Sequence, residues 1–174
     1  MSYRPTFDVT DRKARAAFSI YSTLLGGSMG SRLFDEIREQ RGLCYSVYAI
    51  DHAYADVPVL QLGSGLESGK AVEAYTRMRE IVAELAADGP TAEEVERARA
   101  YAAGRRVLAF ESTNAVARYA ANQAIVFGED IDPDTGIALL DEVTLDDVRA
   151  AAKTVDPDAL AVACVGPHTE ADFA

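Results

Sequence analysis

One arginine and one tyrosine have side chains that could act together on a ligand. Arg38 falls near the end of a short amphipathic segment, and Tyr45 falls seven residues later, near the start of a strand-like segment. A guanidinium and a phenol both donate hydrogen bonds, so a fixed pair could bind the carbonyl oxygens of a ligand. Taken alone, the two residue types favour a structural role, in which the arginine lies along a helix end and the tyrosine packs on a sheet.

Glycines flank the segment that carries the arginine. Gly26, Gly27 and Gly30 precede it, and Gly42 follows it directly. Glycine takes positive φ at no steric cost, so we expect Gly26 and Gly27 to end a first helix and Gly42 to end a second one in a left-handed conformation. The resulting corner between helix and strand would hold the guanidinium and the phenol in fixed geometry.

Hydrophobic periodicity and turn residues outline the remaining elements. Strands are predicted over about 43–50, 57–62 and 160–165, the first two forming a hairpin around 51–56. Helices are predicted over about 8–25, 31–41, 70–87, 91–112, 113–127 and 144–155, with an acidic connector over 129–134. Since the helices come in runs, we expect one α+β domain over 1–174, with a mainly antiparallel sheet and the helices packed on one face.

Two local signals in the long helix lead to further expectations. Thr91 and Glu94 have the spacing of a capping box, in which each side chain bonds the backbone of the other residue. Gly104 lies in the helix interior, where it costs about 1 kcal/mol relative to alanine. A close helix contact at Gly104 would explain that cost.

The composition is that of a globular protein and disfavours two classes of partner. The chain has 174 residues, 49% of them hydrophobic, and a net charge of −11 from 28 acidic and 17 basic residues. So acidic a surface repels nucleic acid and anionic lipid, and we expect neither nucleic acid nor membrane as a partner. Two widely separated cysteines do not form a disulfide framework, which favours a reducing compartment and a cytoplasmic location.

The remaining reactive side chains form no recognisable catalytic or metal-binding pattern. His52 and His168 have no partner ligand at metal-binding spacing, so we expect no metal bound by this chain alone. Cys44 could be a nucleophile, but it has no neighbouring base in sequence and is better explained as a small packed residue. Cys164, in an apolar run, is expected in the core.

The glycine-flanked segment nevertheless has a recognisable pattern. Residues 25–47 read Leu-Gly-Gly-Ser-Met-Gly-Ser-Arg-Leu-Phe, three residues, Arg, three residues, Gly-Leu-Cys-Tyr-Ser-Val. This pattern resembles the signature of the C-terminal domain of pitrilysin/insulinase-type zinc metallopeptidases. That family includes mitochondrial processing peptidase and the core subunits of the respiratory cytochrome bc1 complex. Segments 91–98, 140–148 and 161–167 follow in the family's order, so the resemblance covers nearly the whole chain.

The resemblance implies a metalloprotease-like domain of the mitochondrial processing peptidase type. In the family, homologous domains form two halves around a chamber, and an inverted His-x-x-Glu-His motif in an N-terminal domain carries the zinc. This sequence has no such motif. The resemblance therefore implies that zinc lies in a metal-bearing homologous partner domain or subunit, and that this chain is the non-metal part of a two-half assembly.

The resemblance also changes the interpretation of the arginine and the tyrosine. Arg38 and Tyr45 match a family pair that points across the chamber toward the backbone of the peptide substrate. The leading interpretation is then a substrate-binding domain of a zinc metallopeptidase, inactive alone, with Arg38 and Tyr45 as substrate-binding residues.

Two other functions stay open at this stage. A structural subunit resembling the bc1 core proteins would serve in assembly, and an independent enzyme would use Cys44. Residues 1–7 only hint at a strand before the first helix, so the sheet could have a bare edge that pairs with a second copy of the chain.

Overall fold

A computed structural model describes residues 1–54, 56–130 and 132–173, in which four antiparallel strands form one sheet. The strands are β1 (Ser2–Tyr3), β2 (Cys44–Ala53), β3 (Pro58–Leu66) and β4 (Leu160–Ala161). Their order across the sheet is β2-β3-β1-β4. The short N-terminal strand therefore lies inside the sheet, which corrects the expectation that residues 1–7 leave an edge bare.

Six α-helices accompany the sheet in the described part of the chain. They are α1 (Arg12–Ser22), α2 (Ala71–Asp88), α3 (Ala92–Ala109), α4 (Thr113–Phe127), α5 (Pro133–Asp141) and α6 (Leu145–Lys153). Two wider, π-helical segments span Thr23–Gly27 and Phe34–Gln40, and 3₁₀ turns span Ser68–Lys70 and Glu170–Phe173. None of the helices in these ranges combines the length and apolar character that crossing a bilayer requires.

One face of the sheet is buried against helices, as the sequence predicts. Val47 and Ala49 of β2 are buried, whereas the alternate residues Tyr48 and Ile50 are 40% and 44% exposed. This alternation follows from the two-residue period of a strand. The largest fully buried side chains are Tyr3, Tyr21, Phe18, Ile20, Leu25, Leu33, Ile37, Leu60, Leu62, Ile81, Leu85 and Leu140. The α+β fold class is confirmed.

The predicted hairpin is confirmed, and its strands are longer than predicted. Pro58 begins β3 opposite Ala53, a position where the missing N–H of proline is tolerated. Gly63 does not end the strand, since it pairs with Tyr48. The ring of Tyr48 occupies the space of its absent side chain, with an ideal Cβ only 2.3 Å from the Tyr48 Cζ. Ala55, in the predicted turn, lies outside the described residues.

Helix α5 was not predicted, although the sequence carries its start signal. Asp132 accepts a hydrogen bond from the backbone N–H of Thr135 at 2.9 Å, and Pro133 occupies the first turn. Both are ordinary helix-start features, which the acidic composition of the predicted connector obscured. Ile131, inside that connector, lies outside the described residues.

The capping box of α3 is confirmed, and the expected close contact at Gly104 is wrong. Thr91 and Glu94 make both reciprocal bonds to each other's backbone. A Cβ added at Gly104 meets no atom within 4 Å.

Replacing Gly104 with alanine should therefore stabilise the domain. The change lowers the conformational entropy of the unfolded chain and creates no clash, so we expect a gain of about 0.5–1 kcal/mol in unfolding free energy. Urea denaturation of the variant beside the wild type measures it. A loss of stability would show that α3 packs differently at this position.

Candidate functional site

Arg38 lies in the π-helical segment Phe34–Gln40, which a glycine ends as predicted. The backbone N–H of Gly42 donates to the Arg38 carbonyl at 3.1 Å, and that of Leu43 donates to the Ile37 carbonyl at 2.9 Å. Gly42 has φ of +59°, the left-handed conformation expected at a helix end. Ile37 is fully buried and anchors the segment, so the position of the Arg38 backbone is well defined.

Tyr45 is the extra residue of a β-bulge at the start of β2. Cys44 pairs with Leu66 and Ser46 pairs with Gly65, so Tyr45 has no partner residue of its own on β3. A bulge changes the direction of its side chain and is common beside binding sites. The Tyr45 side chain accordingly lies outside the core, and the residue is 84% exposed.

The structure brings the two predicted residues together. The Arg38 Cζ lies 5.2 Å from the centroid of the Tyr45 ring and 4.6 Å from that of Phe34. The Arg38 Nε is 3.5 Å from an Oε1 of Glu39, and the Arg38 side chain is 35% exposed. Cation–π contact with the two rings restrains the guanidinium while leaving part of it accessible. The corner therefore presents a phenol and a guanidinium side by side.

Sequence reasoning missed Phe34 as a member of this corner. Its spacing of four residues from Arg38 is the signal that could have identified it, since residues four apart lie on the same side of a helix. Phe34 is partly buried against the core, and the Arg38 guanidinium lies over its ring.

Gly26 and Gly27 do not have the positive φ that the sequence analysis expects of them. Positive φ among the described glycines occurs only at Gly42, Gly89 and Gly128. Gly26 and Gly27 continue the helical turn through Thr23–Gly27, and Ser28 then becomes extended with φ −144° and ψ 167°. The helical turn thus ends at Gly27, where the sequence predicts the first helix to end, but without positive φ at either glycine.

Gly26 is instead needed for close packing of this turn on β2. A Cβ at Gly26 would lie 2.4 Å from the Ala49 nitrogen and 2.9 Å from the Tyr48 carbonyl carbon. Gly30 lies in a turn, where a Cβ would be 3.3 Å from the Arg97 Nε. Gly26 therefore serves close approach, and Gly42 alone of the four predicted positions serves a left-handed turn.

Two arginine–glutamate pairs fasten the arginine segment to neighbouring helices. Arg32 Nη2 donates to an Oε2 of Glu94 in α3 at 2.9 Å, and Arg77 Nε in α2 donates to an Oε2 of Glu36 at 2.8 Å. Arg77 Nη1 also donates to Glu84 at 2.6 Å. These bonds hold the segment on both sides, which limits how far the corner can move relative to the core.

Glu94 combines several of these interactions in one carboxylate. Burial by itself raises the pKa of Glu94, but hydrogen bonds from the Arg32 guanidinium and from Thr91 outweigh it and lower the pKa to about 2. Its side chain is 16% exposed, and that of Arg32 is 21% exposed. The pair is thus charged throughout the physiological range and largely shielded from water.

The cysteine and histidine side chains add no metal site to this corner among the described residues. Cys164 is exposed, which contradicts the expectation that it is a core residue; Cys44 is half-buried. His52 stacks on Tyr54 with centroids 6.1 Å apart. Residues 1–54, 56–130 and 132–173 contain no group of three or more His, Cys, Asp or Glu side chains suited to a metal ion. The donor set described here does not fit a zinc site.

Comparison with known proteins agrees with the resemblance seen in the sequence. The family model of the peptidase M16 inactive domain matches residues 2–101. An uncharacterized zinc protease of Streptomyces coelicolor is 34% identical over 158 residues, 91% of this chain and 34% of the relative. The uncharacterized zinc protease YmxG of Bacillus subtilis is 31% identical over 148 residues, 85% of this chain and 36% of the relative. The chain thus spans about a third of the length of these curated relatives.

Solved structures share the fold. The peptidase M16 inactive domain from Pseudomonas fluorescens matches with a TM-score of 0.75 at 23% identity, over 91% of this chain and 39% of that one. A chain of Complex III2 from Candida albicans matches with a TM-score of 0.73 at 12% identity, over 88% and 39%. With a family model matching more than half of its length and a relative 34% identical over 91% of it, the chain belongs to the peptidase M16 inactive-domain family.

Proposed function

We propose that this domain binds the backbone of a peptide substrate in a zinc metallopeptidase whose metal lies on a homologous domain or subunit. One observation carries the proposal. The bulge directs Tyr45 out of the sheet beside the partly exposed Arg38, with the guanidinium carbon 5.2 Å from the centroid of the phenol ring. Two adjacent donors on a rigid corner suit the regularly spaced carbonyl oxygens of an extended peptide.

The two side chains differ in what they contribute. The Tyr45 hydroxyl donates one directed hydrogen bond, whereas the Arg38 guanidinium offers several donors and a positive charge. Both would orient a substrate and favour any negative charge that develops on its carbonyl oxygen. Because Phe34 and Tyr45 already restrain the guanidinium, little further side-chain entropy is lost when a peptide binds. The zinc of the partner domain supplies the hydrolytic chemistry.

A homologous, metal-bearing partner would also cover surface that this chain leaves open. No described residue of α4 is fully buried, and Ile125 in it is 83% exposed. Leu108, near the end of α3, is 67% exposed. Exposed apolar side chains on adjacent helices are typical of surfaces covered in an assembly, in keeping with relatives about three times as long.

Substituting the two corner residues tests the proposal in the assembled enzyme. With the chain combined with its metal-bearing domain or subunit, Arg38→Ala or Tyr45→Phe should lower kcat/KM for a peptide by roughly 10- to 1000-fold, the upper end being the cost of removing one oriented oxyanion-hole donor. Peptide cleavage assays measure the effect. Arg41→Ala and Tyr54→Phe are matched controls, since both residues are exposed and neither belongs to the pair. The controls should retain wild-type activity.

Unchanged cleavage by both corner variants, with the fold intact, would contradict the substrate-binding role. Co-purification of the chain with a membrane complex, together with indifference to Arg38→Ala, would instead support a role in assembly. The isolated chain should not hydrolyse peptides, and hydrolysis that thiol alkylation abolishes would favour an independent enzyme using Cys44.

A further inference from the structure

A cavity of about 570 Å³ lies on the helical side of the sheet. It is lined from β2, α1, α3, α4 and α5, for example by Asp51, Ser19, Arg106, Arg118 and Leu140 respectively. Arg38 and Tyr45 are not among the described residues that line it. Its volume is within the range of small-molecule sites. The cavity is therefore a second place where this domain could bind a ligand.

Asp51 places a carboxylate in the row of β2 that faces the core. It follows the buried Ala49 by two residues and pairs with the fully buried Leu60 of β3. Within the described residues it forms no ion pair at 4.0 Å or less. Burial raises the pKa of Asp51, and the Ser22 hydroxyl and the charge of Arg106 offset this effect only in part. The carboxylate thus lacks a close cationic partner, which is costly for a group with little access to water.

Four arginines line the same cavity, in a chain whose net charge is −11. Arg12 and Arg15 of α1 share one carboxylate, that of Glu129, at 3.1 and 2.6 Å. Arg106 donates to a backbone carbonyl of α5 at 3.1 Å. Neither Arg106 nor Arg118 has a carboxylate within 4.0 Å among the described residues. The helices therefore bring two guanidinium groups to the cavity whose charge is not neutralised by an adjacent carboxylate.

Aromatic rings restrain two of the four guanidinium groups. The Arg15 Cζ lies 4.0 Å from the centroid of the Phe127 ring, and the Arg106 Cζ lies 5.8 Å from that of Tyr119. Tyr119 in turn packs so closely on Gly136 of α5 that a side chain at that position would not fit. The wall that α4 contributes is thus ordered before any ligand binds, which lowers the entropy lost on binding.

Positive and negative charge come from different parts of the cavity. Asp51 belongs to the sheet and is half-buried, whereas Arg12 and Arg118 belong to the surrounding helices and are exposed. A simple anion held by the arginines would be repelled by Asp51, and a simple amine beside Asp51 would be repelled by four arginines. A ligand that carries one group of each sign is favoured over both, since it meets an opposite charge at each end.

We propose that this cavity binds a ligand with a free α-ammonium and a free α-carboxylate, either an apolar amino acid or a dipeptide of apolar residues. The ammonium group donates to Asp51, and the carboxylate accepts from Arg106 and Arg118. The apolar side chain lies against Phe127 and Leu139, which also line the cavity. This site is independent of the role proposed for the Arg38–Tyr45 corner.

Calorimetric titration of the 174-residue chain with capped and uncapped ligands tests the proposal. L-leucine and L-leucyl-L-leucine are the two uncapped probes, and the one that binds more tightly identifies the size of ligand that the cavity accepts. Acetylation of its amino group or amidation of its carboxylate should each weaken binding roughly tenfold or more, since each removes one charged hydrogen-bonding group. Equal affinity for either capped form would overturn the proposal, as would the absence of binding by both uncapped probes at millimolar concentration.

Two variants assign the ends of the ligand to the two sides of the cavity. Asp51→Asn should weaken binding of the uncapped ligand and leave that of its acetylated form unchanged. Arg118→Gln should weaken binding of the uncapped ligand and leave that of its amidated form unchanged. Arg118 is exposed, so its replacement tests the site even if Asp51→Asn does not fold. Arg105→Gln is the matched control, since Arg105 is an exposed neighbour of Arg106 that does not line the cavity.

Two further results would contradict this assignment. Inorganic phosphate that binds as tightly as the uncapped ligand, and whose binding Arg118→Gln abolishes, would show a site for simple anions. An equal loss of affinity in Arg105→Gln and Arg118→Gln would show that the ligand binds by general surface charge and not in the cavity.

Discussion

Gly26→Ala is expected to destabilise the domain by about 3 kcal/mol or more, at the upper end of the cost of overpacking. The added Cβ would lie 2.4 Å from the Ala49 nitrogen, 2.8 Å from the Ala49 Cβ and 2.9 Å from the Tyr48 carbonyl carbon. Two of these atoms belong to the backbone of β2, so no side-chain rotation can relieve the clash. Either the turn Thr23–Gly27 or the strand must shift, and both contribute to the same core.

Thermal denaturation measures this cost directly. For a chain of this size, 3 kcal/mol corresponds to a fall in Tm of roughly 6–12 °C. Gly27→Ala is the matched control, since its Cβ would lie 3.4 Å from the Thr23 Cβ, an ordinary contact distance, and its φ is not positive. The control should stay within about 1 kcal/mol of the wild type. Equal stabilities for the two variants would show that the turn and β2 are not as closely packed as described.

The sequence predicts the elements of the core well because their signals are local. Thr91 and Glu94 predict the start of α3, and Gly42 predicts the end of the arginine segment, from spacing that needs no tertiary information. The two predictions for Gly26 and Gly104 fail for the opposite reason. Whether a glycine serves conformation, close approach or neither depends on what lies beside it in space, and its spacing along the chain does not contain that information.

The end of the chain illustrates the same limit for strands. Residues 160–165 read as one buried apolar strand, but only Leu160–Ala161 pair, and Cys164 is exposed. An apolar run predicts that a segment can form a strand, while the neighbour it pairs with must come from elsewhere in the sheet. Here β1 supplies a neighbour for two residues and no farther, within the described structure.

For the candidate site, the sequence predicts which residues matter and leaves their geometry undetermined. Spacing alone does not place Tyr45 in a bulge or Phe34 beneath Arg38. Had β2 kept a regular register through Tyr45, its side-chain direction would have followed the alternation of Val47 and Ala49. The pairing of Cys44 with Leu66 and Ser46 with Gly65 is a property of two strands together, and it determines where the phenol points.

Glu94→Gln is expected to cost about 2–3 kcal/mol of unfolding free energy, somewhat below the cost of breaking a fully buried ion pair. The carboxylate accepts bonds from Arg32 at 2.9 Å and from the Thr91 N–H and hydroxyl at 2.8 and 2.9 Å. An amide of the same shape leaves the shielded guanidinium without its charge partner and weakens the helix cap. Because the pair also joins the arginine segment to α3, Glu94→Gln should loosen the Arg38–Tyr45 corner as well as lower the stability of the whole domain.

The pH dependence of this contribution follows from the depressed pKa. Glu94 titrates near 2 in the folded chain and near its ordinary value of 4.5 when unfolded. Between these values the unfolded chain binds more protons, so the stabilisation is present above about pH 4.5 and is lost as the pH falls toward 2. The stability difference between wild type and Glu94→Gln should therefore shrink as the pH is lowered from about 5 to about 2.5.

Denaturant unfolding at each pH separates this effect from the titration of other carboxylates, because those remain in both proteins. Glu93→Gln is the matched control: Glu93 precedes Glu94 in the same helix turn, but its side chain is 89% exposed and lies 3.6 Å from Arg97. An exposed pair of this kind contributes little, so the control should change stability by less than about 1 kcal/mol at any pH. If Glu94→Gln were as stable as Glu93→Gln near neutral pH, or if its deficit did not shrink in acid, then Arg32 and Glu94 would not hold the arginine segment on α3. The corner that presents Arg38 and Tyr45 would then be held by its other contacts, among them the buried Leu33 and Ile37 and the Arg77–Glu36 pair.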